Sequence, residues 1–191
     1  MENAYKLITG ALTTMALATS AMVVLPYLEV RELEPAEGLK PYTESELRGR
    51  EHYINLGCVA CHSQQPRGVE AGVDGSRGWG RPSTPEDYVY DEPPLLGTMR
   101  TGPDLLNIGA RQPSIDWQLG HLYQPRAYVA ESNMPAFPFL FEHKAEAIDG
   151  ERVVKLPPGV GPSIGVVVAN QEVLDLVDYL LSLDRTYPAP L

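Results

Sequence analysis

Two cysteines and a histidine occupy one short stretch, LGCVACHSQQ, as Cys58, Cys61 and His62, and the chain has no other cysteine. Thiols and imidazole at C-x-x-C-H spacing admit three chemistries. A thioredoxin-like dithiol needs a βαβ context, which the flanking sequence does not supply. A structural zinc site needs a second pair of ligands, and no further cysteine exists to provide one. Covalent attachment of a c-type haem uses all three residues: the thiols add to the two vinyl groups, and the adjacent histidine meets the iron as proximal ligand. On this reading the chain carries one covalently bound haem c through Cys58 and Cys61, with His62 on the metal. Such haem is attached outside the cytoplasmic membrane, which fixes the compartment.

A haem that transfers electrons closes its sixth position with a second side chain, and methionine there raises the potential. Met1, Met15 and Met22 belong to the apolar N-terminal region, which leaves Met99 and Met134 beside His121 and His143. Met134, in the proline-stiffened ESNMPAFPFL, lies far enough downstream for the chain to wrap round the porphyrin, and it is the expected second axial ligand. Met99 is read as an apolar lining residue. In RTGPDL a rigid turn presents the Pro103 carbonyl, the expected acceptor for the second ring N–H of His62. Arg100, beside that turn, is the candidate partner of a haem propionate; Arg67, Arg77 and Arg81 are read as solvated. Trp79, Trp117, Tyr88 and Tyr90 are assigned to core or haem-pocket packing, and Glu131, His121 and Arg126 to surface or capping roles.

These residues need elements to hold them. Leu7 to Leu28 contains no charged residue, and its 22 positions reach about 33 Å as a helix, enough for a hydrocarbon core. The ALA at Ala16–Ala18 would suit signal cleavage, but the apolar run continues ten residues beyond it, which favours a retained anchor. Small residues such as Gly10 and Ala18 along it suit close approach of another membrane helix. Lys6 before the span and the acidic stretch up to Glu37 after it place the N-terminus in the cytoplasm and the haem domain in the periplasm.

The chain therefore divides into an anchor at 1–28 in contact with membrane lipid, a linker at 29–42 and a haem domain at 43–191. In the last, Thr43 with Glu46 forms a capping box and Gly57 a C-terminal stop, so a helix delivers the chain to Cys58. NQEVLDLVDYLLSL, Asn170 to Leu183, predicts a second amphipathic helix with an asparagine cap and a face of Val173, Leu176, Val177, Leu180 and Asp184. Gly49 and Tyr53 on the first helix, with Leu176 and Tyr179 on the last, predict a close crossing. Two Gly- and Pro-rich stretches, about 63–98 and 142–168, are expected as loop insertions.

A formal net charge of −10 disfavours nucleic acid and favours a basic protein partner. No nucleophile and base pair, phosphate loop or second metal site is evident, so any catalysis belongs to a complex.

In their order along the chain, the first helix, C-x-x-C-H, the TGP turn, the late MP loop and the terminal helix resemble class I cytochromes c: a mainly α fold, here with one transmembrane helix. GCVACHSQ, RTGPDLLNIGAR and DWQLGHLYQPRAYVAESNMPAFPFL further resemble the membrane-anchored monohaem subunit, subunit II, of cbb3-type cytochrome c oxidases. The resemblance covers the anchor in kind and Thr43 to Phe141 in motif. It implies His62 and Met134 as axial ligands and a large haem-copper catalytic subunit as membrane partner. It also implies a relay of single electrons from a donor cytochrome c, either a multihaem sister subunit or a soluble protein. Oxygen reduction by the complex follows from that family; a related nitric oxide reductase or a haem-based sensor are the alternatives.

Overall fold

A computed structural model describes residues 2–189; Met1, the first residue of the expected anchor, and Pro190 and Leu191, the last of the expected haem domain, lie outside them. The fold is mainly helical. Helix α1 runs Glu2–Thr19, then through a π-helical turn, Ser20–Val24, into Leu25–Val30. The wide turn has a local cause. Pro26 offers no N–H, and its ring would press on the carbonyl one turn back in regular α geometry, so Leu25 N–H donates instead to Ser20 O, five residues earlier. Asn3–Val30 is long and apolar enough to cross a membrane, and none of its apolar window is buried against the rest of the chain. A helix apolar on every side and packed against nothing has lipid or another membrane helix as its natural surroundings.

Helix α2, Glu44–Asn55, starts where its cap predicts: Glu46 N–H donates to Thr43 Oγ1, and Thr43 N–H donates to Glu46 Oε2 at 2.6 Å. It ends at Gly57, whose φ of 75° lies in the left-handed region that favours glycine. Two short helices follow a long irregular segment: α3, Ile108–Arg111, and α4, Ile115–Tyr123, capped by Ser114. The last helix, α5, is Gln171–Ser182, with Val173 N–H donating to Asn170 Oδ1 at 3.0 Å.

Packing centres on α2 against α5. At the contact a Cβ on Gly49 would penetrate the carbonyl of Asp175 and come within 2.8 Å of Tyr179 Cβ. Tyr53 and Tyr179 meet edge to face at 5.6 Å. Arg48 Nε donates to Asp175 at 2.7 Å across the same contact. Gly109 repeats the device, bringing α3 against the backbone of Leu181, and its N–H donates to Leu183 O at 2.9 Å. Val173, Leu176, Val177, Leu180 and Leu183 are buried in the core between these helices.

Two expectations need adjustment. The stretch expected as a loop insertion at 142–168 is bracketed by a strand pair, β1 at Phe141–Lys144 and β2 at Val166–Ala169, antiparallel with Phe141 opposite Ala169. Val154, Val167 and Ala169 from this region join the core. Asp184 does not lie on the α5 face: the helix stops at Ser182, and the Asp184 carboxylate instead accepts from Thr186 N–H and Oγ1, a local turn that competes with helix continuation. Gly49→Ala is expected to destabilise the domain by about 1–3 kcal/mol or more, because the obstacle is backbone and cannot rotate away. Thermal or denaturant unfolding of the variant checks this.

Candidate functional site

The site begins one residue after α2. From the left-handed Gly57 the backbone makes a 3₁₀ turn, Cys58–Ala60, in which the N–H groups of Cys61 and His62 both donate to Cys58 O, at 3.1 and 3.0 Å. One turn therefore presents both thiols and the imidazole. Both cysteines are free; Cys58 is half-buried and Cys61 exposed. Burial pushes the Cys58 thiol up to about 11, the opposite of the acidified thiol of a redox-active dithiol.

Three backbone bonds then lace the segment after Cys61 to two others. Gly102 N–H donates to Cys61 O at 3.0 Å, Gln64 N–H to Leu96 O at 2.8 Å and Leu105 N–H to Ser63 O at 2.8 Å. Between these, His62 Nδ1 lies 2.7 Å from Pro103 O. A carbonyl only accepts, so Nδ1 carries the proton and Nε2 keeps its lone pair. Burial holds the imidazole below the ordinary histidine range, in the neutral form that can ligate a metal. Gly102 makes this approach possible: a Cβ there would come within 2.7 Å of Nδ1 and 2.8 Å of Nε2.

Met134 lies on the segment between α4 and β1, half-buried and packed against the same core as Cys58, Val59 and Phe137. Ser132 Oγ accepts its N–H at 3.2 Å, and Phe137 N–H ties the loop to Leu122 O at 3.0 Å. Met99 is 58% exposed.

Arg100 is drawn into the protein. Its Nη1 donates to Asp74 at 2.7 Å, Nη2 donates to Gln65 O at 2.7 Å and approaches Asp104, and its guanidinium lies over Trp79, leaving only a buried Nε without a partner. Arg81, read from sequence as solvated, is instead half-buried and forks onto Asp87 at 2.7 and 2.8 Å. Arg77 covers Trp79, while Arg67 is exposed. Glu131 and Arg126 are exposed, as expected. His121 is not a surface residue: it stacks on Trp117 at 4.5 Å, its Nδ1 is buried without a partner, and burial with the nearby His62 pushes it down to about 4. His143 is bonded to Tyr123 OH at 2.8 Å.

Sequence reasoning passed over Asp104, Ser63 and Gln64. Asp104 is wholly buried and accepts from Ser63 Oγ at 2.6 Å and Gln65 N–H at 2.7 Å on one oxygen and from Leu106 N–H at 3.0 Å on the other. Gln64 exchanges hydrogen bonds with Tyr179 OH at 2.9 and 3.1 Å, joining the site to α5. The aspartate directly after TGP was the available signal.

No group of three or more histidine, cysteine, aspartate or glutamate residues among the described residues could hold a metal ion. The two most evident grooves, of about 400 and 550 Å³, are lined by other residues and do not reach the Cys58–His62 turn. What this turn offers is two thiols and one fixed imidazole nitrogen, a set too sparse for a bare ion and suited to a porphyrin, which brings four ring nitrogens of its own. Residues 1–164 match the family described as cytochrome c oxidase, mono-heme subunit/FixO.

The chain belongs to that family. The match spans the anchor, the C-x-x-C-H turn, the TGP turn, the Met134 loop and most of the second insertion, and stops before β2 and α5. As a FixO protein the chain is a haem-containing subunit of an oxidase complex with a catalytic subunit as partner, and its apolar helix accords with membrane anchoring. The nitric oxide reductase and sensor readings are not favoured. Comparison with curated proteins finds no match. Gly102→Ala is expected to push the His62 ring off the Pro103 carbonyl; displaced ring-proton resonances of His62 by NMR would report it, and an unmoved ring would show that the turn can yield.

Proposed function

We propose that this subunit relays single electrons from a donor cytochrome to the haem-copper catalytic subunit of a cbb3-type oxidase, through one haem c. Cys58 and Cys61 would hold it through thioethers, and His62 Nε2 and Met134 Sδ would ligate its iron. The observation that carries this reading is the 2.7 Å approach of His62 Nδ1 to Pro103 O, because it leaves the opposite nitrogen unprotonated and able to ligate. The iron supplies a one-electron redox change when the haem is bound. The chain's own residues hold the imidazole in one tautomer and orientation, bring the thiols into the same turn and supply a thioether from a separate loop.

The domain division at 1–28, 29–42 and 43–191, the periplasmic placement and the lipid contact of α1 belong to the same proposal. Arg100 has only Nε left for a propionate, and its part in the site is to brace the turn. The acidic surface selects a basic donor, so electron input weakens as ionic strength rises.

Met134→Ala is expected to lose low-spin methionine ligation and to lower the reduction potential; unchanged ligation in the absorption and magnetic spectra would reject the assignment. The activity is tested by purifying the complex in mild detergent through this subunit and following reductant-driven consumption of oxygen and nitric oxide side by side. Rapid oxygen uptake with little nitric oxide turnover is the expected result, and the reverse would overturn it.

A further inference from the structure

Ser63 and Asp104 each stand one residue beyond a member of the His62–Pro103 pair, and they are bonded to each other at 2.6 Å. Both are buried, at 1% and 0% exposure. One peptide separates this bond from the ligand on one strand and from the ligand's acceptor on the other. A buried carboxylate carries a desolvation cost that an apolar residue would avoid. Asp104 offsets that cost by accepting Ser63 Oγ, Gln65 N–H and Leu106 N–H, and these donors come from both segments that meet at His62.

We propose that Asp104 and Ser63 are positioning residues for His62. They hold the segment behind the imidazole in register with the Pro103 carbonyl and so set the strength of the Nδ1–H···O bond. The inference rests on the reading of His62 as an axial ligand. A strong bond at Nδ1 makes the imidazole a more basic ligand and favours the oxidised iron. Loosening the Ser63–Asp104 bond therefore raises the reduction potential.

The test is potentiometry and NMR on the full haem-loaded chain. Ser63→Ala alters no charge, whereas Asp104→Asn removes one; both are expected to raise the potential and move the His62 ring-proton resonances. Because the Ser63–Asp104 bond is common to both variants, the double variant is expected to shift by less than the sum of the singles. Ser63→Thr, which keeps the hydroxyl, is expected to restore the wild-type potential. Asp87→Asn serves as the structural control: Asp87 is also fully buried but pairs with Arg81, so this variant is expected to lower the melting temperature and leave the potential unchanged. Unmoved potential and resonances in Ser63→Ala, or strictly additive shifts, would overturn the proposal. If Asp104→Asn does not fold, the Ser63 pair decides alone. A wild-type chain without a c-type haem absorption band would fail the ligand assignment itself, a different result from any of these.

Discussion

The close contact of α2 with α5 sets the position of everything that follows it. Without a side chain at Gly49 the two backbones approach until helix α2 touches the Asp175 carbonyl, and Tyr53 then meets Tyr179 edge on. Since α2 ends three residues before Cys58, fixing α2 fixes the origin of the Cys58–His62 turn. The same tyrosine of α5 reaches past the contact to Gln64, two residues after His62. The Cys58–His62 turn is thus held at both ends by one helix pair. A methyl group at residue 49 would part the helices and shift both ends together, so damage at a residue remote from the turn would still reach it.

Beyond that contact, order near the Cys58–His62 turn depends on polar bonds more than on apolar packing. Asp74, Asp87, Asp91 and Asp104 are all buried, and each has arginine or N–H partners nearby: Arg100 serves Asp74 and Asp104, Arg81 serves Asp87 and Arg50 serves Asp91. A glycine- and proline-rich segment such as 63–98 cannot build a continuous hydrophobic face. Its loops are held instead by directional bonds, each of which tolerates less displacement than an apolar contact. The arginines in and beside this segment divide accordingly: Arg81 and Arg100 neutralise buried carboxylates, whereas Arg67 and Arg77 lie at the surface.

What was legible in the sequence was local. Thr43 with Glu46, Gly57, and Asn170 are signals confined to three or four residues, and each marks a helix end that the structure has. The Gly49 contact was legible because a small residue one turn from an aromatic is an uncommon helix surface. The strand pair was not: FEHK and VVVA are four residues each and stand far apart, so neither has enough alternation to declare itself, and their pairing depends on a long-range closure. The Asp104 bonds were hidden for a related reason. An aspartate in a Gly-Pro turn has an ordinary local explanation, and only the return of residues 63–65 to its carboxylate shows that it faces inward.

The linker illustrates how tertiary contacts revise a compositional reading. Residues 29–42 are charged and contain proline, which predicts a loose tether, yet Ala36 is buried and its N–H donates to Glu86 O at 3.2 Å, while Gly38 fits against the ring of Tyr187. Only Arg31–Pro35 separate the end of α1 from the first residue buried on the domain, a stretch of at most roughly 18 Å when fully extended. A domain held so near its anchor samples a narrow range of positions, and its effective concentration beside any protein that packs on α1 is correspondingly high. For a subunit of an oxidase complex this restricts the search for such a partner. The short pinned linker and the fixed turn thus act at two scales, the first holding the domain near the apolar helix and the second holding the His62 imidazole against the Pro103 carbonyl.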